Sequence, residues 1–306
     1  MKVWRSLAIA TVALAMAEAC GEKAPDAPPA AEAPAAAKGP ALWKIGDADT
    51  TVYLFGTVHV LPPDLQWRKP PVDKALEESK AVYFETDLDP SPAEMLPLIQ
   101  QIGMYPPSTK LSDRLKPDDR VALEAAAQKL QTPIALLDQM KPWLAAVTLS
   151  EQMITNAGYD VNSGVERKLA PDAKSAGKEI RKLETVQEQL LVFADLPEEV
   201  QIRFLMDGVK EIDKESTVLN DMVNAWAVGD TARLDKIMIQ EDLAENPQVY
   251  AALLVKRNAN WVTKIDQLVK TETGAFFIAV GAAHLTGKDS VITKLGPLGY
   301  VAERIE

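Results

Sequence analysis

Two histidines serve the whole 306-residue chain, and each follows a glycine by three positions. His59 closes VYLFGTVH and His284 closes FFIAVGAAH, so each G-x-x-H stands at the end of an apolar run. An imidazole moves protons near neutral pH or ligates a metal, according to which ring nitrogen is free. Two carboxylates have a comparable setting: Glu85 ends AVYFE and Glu184 ends EIRKLE. If these runs are parallel strands of one sheet, all four side chains emerge at its carboxyl edge, where α/β sheets place their ligand sites. Two imidazoles with one or two carboxylates suit a divalent ion such as Zn, Mn or Co, which would acidify a bound water. A carboxylate left outside the ligand set would act as general base. Gly56 and Gly281, lacking Cβ, allow a sharp turn or a close approach of ligand where strand gives way to loop. The bland alternative is a packed histidine with one satisfied nitrogen and a glutamate paired with lysine, but four such groups at one rim are typical of functional sites.

The chain contains no H-E-x-x-H and no G-x-S-x-G, and its single cysteine, Cys20, lies before the expected domain, where leader meets tether. A helical zincin site and an acyl-enzyme route are therefore disfavoured. Metal-free chemistry, with a histidine as base beside the glutamates, stays open, as does a binding protein that sequesters its ligand uncut.

The elements that must position these residues are legible in outline. Leu42–Ile45 and Thr51–Phe55 alternate as two strands about a Gly-Asp-Ala-Asp turn. A helix over Val72–Lys80 and a strand over Ala81–Glu85 complete a strand, G-x-x-H, helix, strand unit. The C-terminal unit repeats the order: strand Ala275–Val280, G-x-x-H, a helix capped by Asp289, and strand Tyr300–Ile305. Each is a short βαβ crossover, so each pair of strands should be parallel. Between the units helical spacing predominates, over 117–130, 134–156 with a break near Pro142, 198–213, 216–228, 231–240 and 247–269. One strand, Lys178–Leu183, interrupts it, followed by a Thr185/Glu188 capping box. The expected fold is thus α/β, a mixed or parallel sheet built from two such units flanking a largely helical insertion.

A formal charge of −11 argues against nucleic acid as a partner. Residues 1–19 read as a secretory signal: Lys2 and Arg5, an apolar stretch, then Ala17-Glu18-Ala19 as cleavage site. Cys20 directly after it resembles the lipid-bearing first residue of a bacterial lipoprotein. Residues 20–41, rich in Ala and Pro, read as an extended tether to a domain over 42–306. That organisation implies a periplasmic protein, held at the outer membrane only through a lipid at Cys20; the alternative is plain secretion with Cys20 trimmed or free.

The stretches YLFGTVHVLP, AVYFETDL, GKEIRKLETVQEQ, KRNANW and FIAVGAAHLTGKDSVITKLGPLGY resemble the TraB/GumN family over the whole mature domain. The resemblance implies an α/β core shared with Tiki-type metalloproteases, in which His59, Glu85 and His284 would support metal-dependent peptide cleavage. It matches Arg257 and Asn258 to the family's R-N pair, where a guanidinium could hold a substrate carboxylate or an oxyanion; the alternative is a surface pair on an amphipathic helix. It marks Glu184 as a fourth ligand or base. One departure is Gly164-Val165-Glu166, where family members commonly carry aspartate in place of Glu166. The implied substrate is a peptide or another small extracytoplasmic molecule.

Overall fold

The structure, a computed structural model, describes residues 39–212, 215–241 and 243–305. The expected signal at 1–19, Cys20 and nearly all of the expected tether lie outside the described residues. Gly39, Pro40 and Ala41 are already buried against the domain.

Six strands form one sheet: β1 (Leu42–Gly46), β2 (Thr50–Thr57), β3 (Ala81–Phe84), β4 (Glu179–Lys182), β5 (Gly274–Gly281) and β6 (Glu303–Ile305), in the order β4-β3-β5-β2-β1-β6. The turn after Gly46 makes β1 and β2 an antiparallel hairpin, while β2, β5, β3 and β4 run parallel. The parallel sense of each expected pair is present, but their adjacency is not. β5 lies between β2 and β3, and β6 pairs with β1 at the far edge. The sequence of β5 accounts for its central place: Phe276 to Val280 are all buried, and a strand covered on both faces reads as a continuous apolar run.

Alternation along the strands sorts the core into two layers. Val52, Leu54, Phe276 and Ile278 face a smaller cluster with Trp261, Ile265 and Val291. Tyr53, Phe55, Phe277 and Ala279 face the larger one, formed with most of the helical insertion. The insertion is fastened to the first motif by Trp226, whose Nε1–H donates to the Gly56 carbonyl at 2.7 Å.

Helices α1 (Pro70–Glu78), α2 (Pro92–Ile102), α3 (Pro117–Lys129), α4 (Ile134–Leu137), α5 (Pro142–Asn156), α6 (Val165–Ser175), α7 (Val186–Ala194), α8 (Glu198–Glu211) and α9 (Glu215–Ala227) precede the long C-terminal helical run. Two of these, α2 and α6, escape the sequence reading; each has an internal proline, Pro97 and Pro171. The remaining helices are α10 (Thr231–Leu234), α11 (Pro247–Tyr250), α12 (Arg257–Thr271) and α13 (Val291–Leu295). The helix expected over 247–269 is divided: a π turn, Ala251–Lys256, joins α11 to α12. The expected cap of α13 shifts by one residue, because Ser290 accepts the Thr293 N–H while Asp289 pairs with Lys294.

Gly164 sets how α6 meets the first motif. The Val165 N–H donates to the Val58 carbonyl at 3.1 Å, and a Cβ on Gly164 would land on the carbonyl oxygen of His59. Backbone cannot yield as a flexible side chain can. Gly164→Ala is therefore expected to cost about 2–3 kcal/mol or more. Gly296 has right-handed helical backbone and open space around its Cβ position, and only the following Pro297 crowds an added methyl, so Gly296→Ala should cost no more than about 1 kcal/mol. Urea unfolding of the two variants checks the contrast.

Candidate functional site

Because β4, β3, β5 and β2 are consecutive and parallel, their carboxyl ends share one rim. Glu184, Glu85, His284 and His59 follow those four strands, so the four expected side chains line up in that spatial order. Pairing continues past the strands, with Leu183 N–H donating to Phe84 O at 3.0 Å and Glu184 N–H to Glu85 O at 2.8 Å. Gly56 serves closeness between chain segments: a Cβ there would stand 3.2 Å from Ala282 Cα, inside the second motif. Gly281 contributes its N–H, which donates to Glu85 Oε1 at 2.7 Å.

At the centre stands Arg257, the first residue after the π turn. Its Nε–H is shared between the two Glu184 oxygens at 3.1 Å each, and Nη2 reaches Glu85 Oε2 and Glu184 Oε1, both at 2.6 Å. Nη1 donates to the Leu253 carbonyl at 3.2 Å and to His284 Nε2 at 3.1 Å. All five guanidinium N–H groups are thus engaged by protein. Arg257 and Asn258 are buried, so they are no surface pair. With no donor left over, Arg257 is a positioning group for the carboxylates rather than a holder of substrate. The π turn, a geometry frequent at functional sites, sets the Leu253 carbonyl against this side chain.

The tautomer of His284 is set by its neighbours. Asn258 Nδ2 donates to the Asp289 carbonyl at 2.8 Å, so Asn258 Oδ1 is the acceptor for His284 Nδ1–H at 2.6 Å. His284 Nε2 is then the bare nitrogen that accepts from Arg257. Burial, reinforced by the Arg257 charge, pushes the His284 pKa down to about 3. The ring lies 4.3 Å, centroid to centroid, from Trp261, on which the Arg257 guanidinium also rests at 4.7 Å.

His59 is the opposite case. Burial works against its protonation, but the charge and hydrogen bond of Glu166, with Glu85 beyond, outweigh it and push the pKa up to about 9. Its Nδ1 lies 2.8 Å from Glu166 Oε1, which also accepts from Thr57. Glu166 occupies the first turn of α6, where the helix dipole favours a carboxylate. The two side chains differ in access too, 15% exposed for His59 against 3% for His284. His59, Glu85 and Glu166 line a recess of about 50 Å³ with Thr86 and Gln189. Burial also opposes ionisation of Glu85, yet Arg257 first, then the imidazoles and Gly281, hold it down at about 2. Burial dominates at Glu184 and raises it, against the pull of Arg257.

The expected metal ligands, His59, Glu85 and His284, do not fit a divalent ion as they stand. His284 Nε2 faces a guanidinium, and both Glu85 oxygens are taken, Oε2 also by Gln189 at 3.2 Å. Among the described residues no three His, Cys, Asp or Glu side chains gather to hold one. Three participants were missed in the sequence. Trp261 donates to Glu184 Oε2 at 3.3 Å and was detectable as the residue four after Arg257, on its helix face. Thr57 lies within the first G-x-x-H, and Gln189 is one turn past the Thr185 cap; nothing local marks either.

Removing the cation should expose how much the two glutamates depend on it. Arg257→Met leaves two buried carboxylates adjacent and is expected to cost about 3–5 kcal/mol. Arg257→Met with Glu184→Gln should regain part of that loss; chemical denaturation of both variants measures it.

The sequence model of the TraB/PrgY/gumN family matches residues 41–304. Among curated proteins, the uncharacterized protein YbaP of Escherichia coli (strain K12) is 22% identical over 239 residues, 78% of this chain and 85% of that protein. The uncharacterized protein YbaP of Shigella flexneri matches to the same extent. No solved structure matches. With nearly the whole described domain covered, from the first buried residues to the last strand, the chain belongs to the TraB/PrgY/gumN family.

Proposed function

We propose that the chain is a hydrolase of peptides or related acyl compounds in which His59 and Glu166 move the protons. The observation that carries this is their 2.8 Å contact at the mouth of the rim recess, with an opening to solvent that His284 lacks. The recess holds roughly two or three waters. Thr86, on its wall, has a buried hydroxyl with no hydrogen-bond partner among the described residues. Glu166 Oε1 is held by His59 and Thr57, and its other oxygen, without a partner among the described residues, receives a proton from water. The water oxygen adds to the substrate carbonyl carbon, and protonated His59 supports the oxyanion. As the carbon–nitrogen or carbon–oxygen bond breaks, His59 gives its Nε2 proton to the leaving group. Glu166 then passes its proton to water in the recess and His59 Nε2 takes one from water there, restoring the starting pair with Nδ1–H still on Glu166 Oε1. The Arg257 network keeps Glu85 ionised beside the recess and holds the second motif in register.

A metal-dependent form of the same hydrolysis is the second reading. What favours it is Glu85, 3.7 Å from His284 Nε2 and sharing the recess with His59. It requires Arg257 to release Glu85 and His284. Sequestration without cleavage is the third outcome. The leader-like residues 1–19 and Cys20 support an extracytoplasmic, lipid-tethered setting for the activity.

Purified chain assayed against fluorogenic peptides and activated esters tests the proposal. His59→Ala and Glu166→Gln should each lower turnover by about 10²-fold or more, with the wild-type rate unchanged by chelators. Loss of turnover on chelation, with bound metal lost in His284→Ala, transfers the assignment to the metal-dependent reading. Recovery of every substrate intact, or full activity in both variants, overturns hydrolysis by this pair. For the tether, Cys20→Ser should move the protein from membrane to soluble fractions; an unchanged distribution removes the anchor.

A further inference from the structure

On the other side of the Arg257–Glu184 pair from His59 lies a larger cleft of about 300 Å³. That volume is at the low end of small-molecule sites. Two helix faces form it. From α7 and its C-cap come Glu188, Leu191, Val192 and Asp195, at the spacing of one helical face. From the π turn and α12 come Ala252, Lys256, Asn260 and Lys264, four residues apart each time. Gln189, also on α7, points to Glu85 and the recess instead, so α7 forms the partition between recess and cleft.

The polar groups of the cleft are unevenly free. Glu184 is held by Arg257 and Trp261, and Glu188 closes the capping box on Thr185. Lys256 and Asn260 have no partner among the described residues, and Lys264 gives one of its three N–H groups to the Leu183 carbonyl. The unengaged donors therefore lie along the π turn and α12, opposite partly buried apolar side chains of α7. Asp195, the residue after α7, has a carboxylate with no partner among the described residues. An apolar side chain flanked by a carboxylate and an amide N–H satisfies all three: walls, lysines and Asp195. That combination is the C-terminal residue of a peptide.

We propose that the cleft between α7 and α12 binds the free C-terminal residue of a peptide, with its apolar side chain against Leu191 and Val192 and its carboxylate on Lys256 and Lys264. The site is distinct from the His59 recess and stands whether or not the chain hydrolyses what it binds. A peptide held here rests on the outer side of the Glu184–Arg257 pair.

Calorimetric titration of the purified chain with N-acetyl-Ala-Leu, its C-terminal amide and inorganic phosphate tests this. The acid should bind about tenfold or more tightly than the amide, and phosphate should not displace it. Lys256→Ala or Lys264→Ala should weaken the acid by about tenfold while leaving the amide unchanged. Both side chains are exposed, so unaltered thermal unfolding will confirm that each variant is folded. Equal affinity for acid and amide, no binding of either, displacement by phosphate, or unchanged binding in both lysine variants overturns the proposal.

Discussion

One guanidinium organises this rim. Buried charges are tolerated only when paired and hydrogen-bonded, and two adjacent buried carboxylates are the harder case. Arg257 meets that requirement for Glu85 and Glu184 together, while also fixing the bare nitrogen of His284. The ends of β3, β4 and β5 are thereby tied to α12 by a single side chain. Such an arrangement depends on geometry as much as charge. Lysine would match the charge but not the five-donor fork.

The two G-x-x-H motifs share a sequence and not an electrostatic state. His284 is enclosed beside a permanent cation and stays neutral; His59 opens to solvent beside a carboxylate and holds its proton more firmly. The difference arises from the surroundings into which each strand delivers its histidine. After β5 the chain turns into α12's neighbourhood, where Asn258, Trp261 and Arg257 surround the ring. After β2 it meets the start of α6, admitted closely because residue 164 has no Cβ.

Much of this rim was legible in the sequence, since strand ends are marked by apolar runs and their direction follows from crossover length. Glu184, Glu85, His284 and His59 could be placed on one edge for that reason. The order of strands could not, because pairing between segments far apart depends on which strand has both faces covered. Nor could the company each residue keeps. Arg257 and Asn258 read equally well as surface residues of an amphipathic helix, since the π turn that aims them inward leaves no local signature. Glu166 drew notice only as a departure from the family pattern. Its contact with His59 depends on the docking of α6, a helix whose internal proline hid it. The placement of the cap on Ser290 rather than Asp289 is a difference of one residue, decided by a hydroxyl and a lysine.

The hairpin has a geometric consequence for presentation. Leu42 opens β1 and pairs with Phe55, near the end of β2, and Ala41 O accepts the Gly56 N–H at 3.5 Å. The polypeptide therefore enters the sheet at the same end as the rim, about one strand spacing, ~5 Å, from the strand that leads to His59. A force applied at Gly39 would therefore enter the sheet at its rim end, beside the strand that leads to His59.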